Sequence, residues 1–320
     1  MSLIIRPAED ADRPRLFELF EDAFRAPADP DEWAWKYDRN PNRAPSAVAV
    51  RDGRIVGFYG GFGTRYRGAA GDRPGVSASD VMTERAARTL GRRALFATLV
   101  DGFCRLCTEA GMPFGFGFPN ERHRLAGERV IGYRPVEPAA QWARALPFEG
   151  PRRLRRRFLK ARDAEPFGRA HDSLAESLHA RAGWRTDRSA RTLAWRFGLR
   201  PKVPYRTLQL VDLAGRSRAY AVWRLVGARA LLVDVQTRGE TAGELADLLA
   251  EVAPRLAGTG AECLELRAPS HSRLAAAARE LGFSPIPTDT HLEVRPFDPA
   301  FDLEVAGRGF DYRFSDHEIF

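Results

Sequence analysis

Apolar and polar positions alternate along this chain in two rhythms, and the same succession of rhythms occurs twice. Residues 3–5 read as a strand. Behind Asp10-Ala11-Asp12-Arg13-Pro14, the residues Leu16, Phe17, Leu19, Phe20, Ala23 and Phe24 recur at helical spacing and predict an amphipathic helix. A second helix is expected over 30–37, ending before Pro41. Residues 47–59 read as a hairpin turning at Asp52-Gly53. A buried strand over 76–83 follows, then a long helix over 94–110, a strand over 114–118 and a helix over 121–130. Gly132-Tyr133 leads into a closing strand. The second pass gives helices near 172–182 and 189–197, a hairpin across Gly215 and a strand over 230–235. A helix over 241–256, a strand over 263–268, a helix over 272–281 and a last strand over 292–295 complete it.

Residue identities repeat along with the rhythm. Trp33-Ala34-Trp35-Lys36-Tyr37 before Asn40-Pro41 is echoed by Leu193-Ala194-Trp195-Arg196-Phe197 before Arg200-Pro201. Ser79-Asp80-Val81-Met82-Thr83 is echoed by Val233-Asp234-Val235-Gln236-Thr237, and Ile131-Gly132-Tyr133 by Leu281-Gly282-Phe283. The echoes keep their order at a spacing of about 150–160 residues, too long for a solenoid repeat. The expected architecture is therefore α/β: two tandem domains, each a mixed, mostly antiparallel sheet flanked by helices. The expected boundaries are 1–145, a basic linker over 146–167, and 168–320 including a polar–aromatic C-terminal tail.

Composition narrows the function. A chain of 320 residues with 44% hydrophobic content suffices for two cores. No apolar run is long enough for a membrane span. The N-terminal residues lack the pattern of a signal peptide, and the three cysteines fit a reducing cytoplasm, where the protein is expected to reside. Cys104 and Cys107 form a CxxC, but within an apolar-periodic segment they read as small core residues rather than metal or redox ligands. The net charge is +8, and only Lys36, Lys160 and Lys202 among the 50 basic residues are lysine. The run Arg152-Arg153-Leu154-Arg155-Arg156-Arg157 suits phosphate or nucleic acid, yet thin aromatic interleaving favours a solvated linker helix.

Candidate chemistry gathers after the 76–83 strand. There Arg88-Thr89-Leu90-Gly91-Arg92-Arg93-Ala94 opens the long helix, and a helix N-terminus lined by arginines holds phosphate through free N–H groups and its dipole. This strand–loop–helix resembles the acyl-CoA signature Arg/Gln-x-x-Gly-x-Gly/Ala of the GNAT superfamily of N-acyltransferases, with Arg88 and Gly91 in the first two named places. Phe118-Pro119-Asn120 and Ile131-Gly132-Tyr133 resemble the block that follows it, and Trp35-Lys36-Tyr37 with Asn40-Pro41 is similar to an element of bacterial members. Arg93 departs from the last Gly/Ala of the signature; a register starting at Gly91 would place Ala94 second. The resemblance implies acetyl-CoA as co-substrate, held by Val81, Met82, Thr83, Arg88, Leu90, Gly91, Arg92, Arg93, Ala94 and Asn120. It also implies direct transfer to an amine in a ternary complex. The second copy carries Thr237-Arg238-Gly239-Glu240-Thr241 at the matching place, with an acid where phosphates would lie, so it is expected to bind no coenzyme and to wall the acceptor cleft.

Acyl transfer needs a polarised thioester, a free amine and a proton for the leaving thiolate. Asp80 is the first candidate base, although the recurrence of Asp234 equally fits a structural carboxylate. His123, at a helix start, is a second candidate. Tyr133 is the candidate acid, with Tyr59 and Tyr66 behind it; each also reads as a core aromatic. In the tail, similarity to aminoglycoside acetyltransferases of the enhanced-intracellular-survival type would bring Asp316, Glu318 or Phe320 into the first copy, whereas docking on the second domain is the plainer expectation. The expected partner is a small-molecule amine, with neither nucleic acid nor membrane; self-association is compatible with the sequence. A mycothiol-synthase-like role would need the coenzyme loop in the second copy. The alternatives from other classes are a Fem-like, aminoacyl-tRNA-dependent transferase using the 152–157 run, and a non-catalytic acyl-CoA-binding scaffold.

Overall fold

A computed structural model describes residues 3–68, 71–85, 92–151, 158–163, 167–177, 184–303 and 309–320. The chain forms two compact units. One comprises Met1–Tyr66, Asp72–Glu137 and Thr290–Gly307; the other comprises Arg67–Gly71, Pro138–Asp289 and Arg308–Phe320. In chain order the first unit opens with β1 (Leu3–Pro7), α1 (Arg13–Phe24), α2 (Pro30–Trp33), β2 (Ala47–Arg51), β3 (Arg54–Arg67) and β4 (Arg73–Thr83). It continues with α3 (Arg92–Glu109), β5 (Phe114–Gly117), α4 (Glu121–Ala126) and β6 (Arg134–Pro138). The second unit contains β7 (Gln141–Ala145), β8 (Leu159–Asp163), α5 (Arg169–Glu176), β9 (Arg185–Thr186), α6 (Ala190–Leu193), β10 (Arg206–Asp212) and β11 (Ser217–Val226). It ends with β12 (Arg229–Thr237), α7 (Ala242–Val252), β13 (Cys263–Arg267), α8 (Arg273–Glu280) and β14 (Ser284–Ile286), after which β15 (His291–Pro296) follows.

The sheet of the first unit runs β1-β2-β3-β4-β5-β15-β6, and that of the second runs β8-β10-β11-β12-β13-β7-β14. The two paths match position for position. In each, the pairing is antiparallel through the first four strands, and the fourth and fifth strands are parallel. The contiguous boundaries expected from the sequence are corrected here. The sixth place of the first sheet is filled by β15 from the end of the chain, antiparallel to β5, and that of the second by β7, which follows β6 after two residues. A strand's hydrophobic pattern is local and does not say which sheet edge accepts it. Residues 159–163, expected as linker, are an edge strand paired with β10. The arginine run at 152–157 lies outside the described residues.

Side chains alternate between the two faces of the first sheet, with the parity of β3 shifted at Val56, which the β2–β3 register skips. Val56, Tyr59 and Val76 pack with Leu95, Leu99, Val100, Phe103 and Cys107 of α3. On the opposite face, Phe58 and Met82 pack with Leu16, Leu19 and Trp33 of α1 and α2. Burial pushes the Cys104 thiol up to about 11 and raises that of Cys107 as well, so both are protonated near neutral pH. The 52–53 hairpin turns with both central residues at positive φ, 50° at Asp52 and 80° at Gly53, as a two-residue hairpin of matching twist requires. After α2 the helix widens into a π-turn over Ala34–Asp38; after α6 it does so over Ala194–Gly198, with Trp35 and Trp195 buried in the two units.

The C-terminal tail belongs to the second unit. Phe310, Tyr312 and Phe314 are buried, and Phe314 joins Leu174, Leu193, Tyr220 and Val222 in one cluster. The Asp316 carboxylate accepts from the Thr186 hydroxyl at 2.6 Å, and Arg196 donates to the carbonyls of His317 and Phe320.

Candidate functional site

Strands β4 and β5 start together and part early. Their register runs only from Gly75↔Phe114 to Ser77↔Phe116, while β4 continues to Thr83 on the β3 side. Beyond Ser77 the β5-facing edge of β4 therefore has no strand partner among the described residues. A β-bulge sits in the same stretch: Phe58 pairs with Met82 but Gly60 with Ser79, one extra residue on β4. Asp80 absorbs the bulge in the left-handed region at φ 49°, a conformation in which aspartate is tolerated better than most side chains.

Asp80 is held by the π-turn that follows α2. The Lys36 ammonium donates to both carboxylate oxygens at 3.0 Å, and the Tyr37 hydroxyl donates at 2.8 Å. Both partners of the ion pair keep about a tenth of their side-chain surface exposed (11% each). Tyr37 is itself fixed between Trp33 and Phe58, at ring-centroid distances of 4.6 and 5.9 Å. The result is a carboxylate and a primary amine locked together beside the gap between two strands. Sequence reasoning singled out Asp80 but gave no role to Lys36 and Tyr37, although the signal was present: Lys36 is one of three lysines in an arginine-dominated chain.

Among the predicted coenzyme contacts, Val81, Met82 and Thr83 are the last three residues of β4. Met82 is buried on the α1–α2 face, and Thr83 pairs with Gly57. Arg92, Arg93 and Ala94 form the first turn of the 18-residue α3, which places three basic-rich backbone positions at a helix N-terminus. Arg88, Leu90 and Gly91 lie outside the described residues. Asn120 caps α4, its side-chain oxygen accepting from the His123 N–H at 3.0 Å.

The three predicted catalytic residues are not brought into one cluster. His123 is exposed on the first turn of α4, and no hydrogen bond joins it to the Asp80 network among the described residues. Tyr133 and Tyr59 are hydrogen-bonded to each other in the α3-side core, where burial raises both phenols well above their ordinary value. Asp80 and its partners lie on the Phe58–Trp33 face instead. Tyr66 is buried edge-on against Phe116, with Phe114 alongside. One further titratable group was not foreseen. Glu293 of β15, opposite Gly117, is 2% exposed and lies beneath Gly127 of the π-turn after α4. Burial and the neighbouring Glu128 and Glu121, opposed by Arg124, push its carboxyl up to about 7, and its Oε1 has no hydrogen-bond partner among the described residues.

The matching region of the second unit is closed by its own side chains. The parallel β12–β13 register stops at Leu232↔Leu266. Asp234, 2% exposed, is bound by Arg188 at 2.8 Å and by the Tyr220 hydroxyl at 3.0 Å. At the start of α7, Thr241 caps the helix and buried Glu240 is ion-paired with Arg185. The Glu244 carboxylate packs against Gly239.

The comparisons agree with this geometry at the level of fold. No protein-family profile matches the chain, and no curated protein matches its sequence. A GCN5-related N-acetyltransferase from Anabaena variabilis superposes with a TM-score of 0.69 at 12% identity, over 93% of this chain and 73% of that one. A GCN5-related N-acetyltransferase from Kribbella flavida gives 0.69 at 12% identity, over 92% and 71%. Eis1 from Mycobacterium abscessus gives 0.59 at 17% identity, over 93% and 74%. The chain thus has the α/β fold of GCN5-related N-acetyltransferases, with two helix-flanked sheets. Among the described residues no helix is long and apolar enough to cross a membrane.

Proposed function

We propose that the chain is a duplicated GNAT-type enzyme that transfers an acyl group, in the first instance from acetyl-CoA, to a small-molecule amine in the cytoplasm. The carrying observation is the parting of β4 from β5 beside the Asp80 bulge. A gap of this kind leaves strand-edge backbone groups of residues 78–83 available to a pantetheine arm and a thioester carbonyl. The N-terminus of α3, with Arg92 and Arg93 on its first turn and Arg88, Leu90 and Gly91 before it, would receive the diphosphate. Asp80, steered by Lys36 and Tyr37, would accept the proton of the incoming amine directly or through water. Tyr133 is a weak candidate acid because it is paired with Tyr59 on the other face of the sheet, and His123 remains a solvent-side alternative.

Only the first unit would be catalytic. In the second, Glu240 and Glu244 set negative charge where phosphates would have to bind. The supporting experiment is an amine panel assayed for free thiol released from acetyl-CoA. Thiol release that depends on both the amine and Asp80 is expected; none with any amine, at coenzyme concentrations that raise the melting temperature, would reject the transferase in favour of a binding protein.

A further inference from the structure

The cation that holds Asp80 is a lysine in a chain where all but three of the 50 basic residues are arginine. The second unit makes the comparison internally: its matching carboxylate, Asp234, is held by Arg188, and the residue matching Lys36 is Arg196. A guanidinium pairs with a carboxylate at least as well as an ammonium does, but it stays protonated and is no nucleophile; a lysine amine can lose its proton and attack a carbonyl. The carboxylates Asp234 and Glu240 of the second unit are both paired with arginine. At the bulge beside the strand gap the chain uses an amine, 3.0 Å from a carboxylate able to take its proton.

We propose that Lys36 is a self-acylation site. Resting on the acyl-CoA reading above, the protein would transfer an acyl group to its own Lys36 Nζ. In this step Asp80 takes one proton from the ammonium, and the freed nitrogen lone pair attacks the thioester carbonyl carbon. The C–N bond forms and the C–S bond breaks; the leaving thiolate takes up the second nitrogen proton, and the first passes from Asp80 to water. The products are an ε-N-acyl-lysine and free coenzyme A thiol, and no redox partner is required. The amide is stable, so the event occurs once per chain. It removes the charge that pairs with Asp80 and leaves Tyr37 as the carboxylate's donor from the π-turn.

The chain supplies its own controls, because Lys160 and Lys202 are both exposed and would be the first to react by chemistry in solution. The test incubates the intact protein with acetyl-CoA and follows each lysine by peptide mass spectrometry, with melting temperature and thiol release to a small-amine panel recorded on the same samples. Lys36 should be acylated at least about tenfold faster than Lys160 or Lys202, as held proximity requires. Asp80→Asn should slow Lys36 alone, and Lys36→Arg should abolish the single-turnover thiol release seen without added amine. Equal modification of the three lysines, or an unmodified Lys36 in protein that binds coenzyme and acylates the amines, overturns self-acylation and leaves the transferase standing. Absence of coenzyme binding and of all thiol release overturns both.

Discussion

The Tyr37 hydroxyl reaches Asp80 by passing directly over Gly60, where a Cβ would overlap the hydroxyl and crowd the Ser79 carbonyl. Gly60 has no φ requirement of its own; it is glycine because the Tyr37 hydroxyl and the Ser79 backbone carbonyl both lie on it. Gly60→Ala should therefore displace Tyr37 from Asp80, cost about 1–3 kcal/mol as a small overpacking, and lower the rate of amine acylation. An unchanged melting temperature and an unchanged rate would show that the Tyr37–Asp80 hydrogen bond is idle.

The two matching aspartates should separate chemistry from stability. Removing Asp234 takes from the buried Arg188 its nearest carboxylate and leaves it Asp316 at 3.7 Å, which should cost up to about 3–5 kcal/mol, with little loss of acylation per folded molecule. Removing Asp80 leaves Lys36 partly in contact with solvent, so the stability loss should be smaller while acylation falls by at least about a hundredfold, the scale of a lost general base. Paired denaturant melts and rate measurements on Asp234→Ala and Asp80→Ala read both quantities. Equal stability losses with retained activity in Asp80→Ala would assign both carboxylates the same structural role.

Glu293 gives the fold a pH dependence of definite sign. Its folded carboxyl is raised to about 7, above the ordinary value of 4.5, so the folded state holds this proton more tightly than the unfolded chain. The stability this contributes is complete below about pH 4.5 and is lost as pH rises through about 7. Glu293→Gln should flatten that slope between about pH 4.5 and pH 7, by on the order of 2–3 kcal/mol. Parallel slopes in wild type and variant would mean that the carboxyl titrates normally.

Much of the fold was legible because its signals are local. The Leu16-to-Phe24 stripe, the Asp52-Gly53 turn and the strand expected over 263–268 follow from period and turn chemistry, and the structure places an element at each. The exchange of β7 and β15 was not legible: the sequence suggested one closing strand after Gly132-Tyr133 where the structure has β6 and β7, and the pattern over 292–295 names a strand but not its sheet. The site was half legible. Asp80 stood out on its strand, whereas its partners depend on a π-turn that brings Lys36 and Tyr37, adjacent in sequence, to one carboxylate. Glu293 was hidden for the same reason as β15: its burial comes from a sheet built by residues far away in the chain. The tail's docking on the second unit was the plainer of two expectations, and the hydrogen bonds to Asp316, His317 and Phe320 are all made there.

Calorimetric titration of the intact chain with acetyl-CoA tests the coenzyme site most directly, because it counts sites and assigns them. One site per chain is expected, lost in Gly91→Glu ahead of α3 and unchanged in Glu240→Ala at the entrance to α7. Binding that survives Gly91→Glu, or is lost in a folded Glu240→Ala variant, would contradict that expectation.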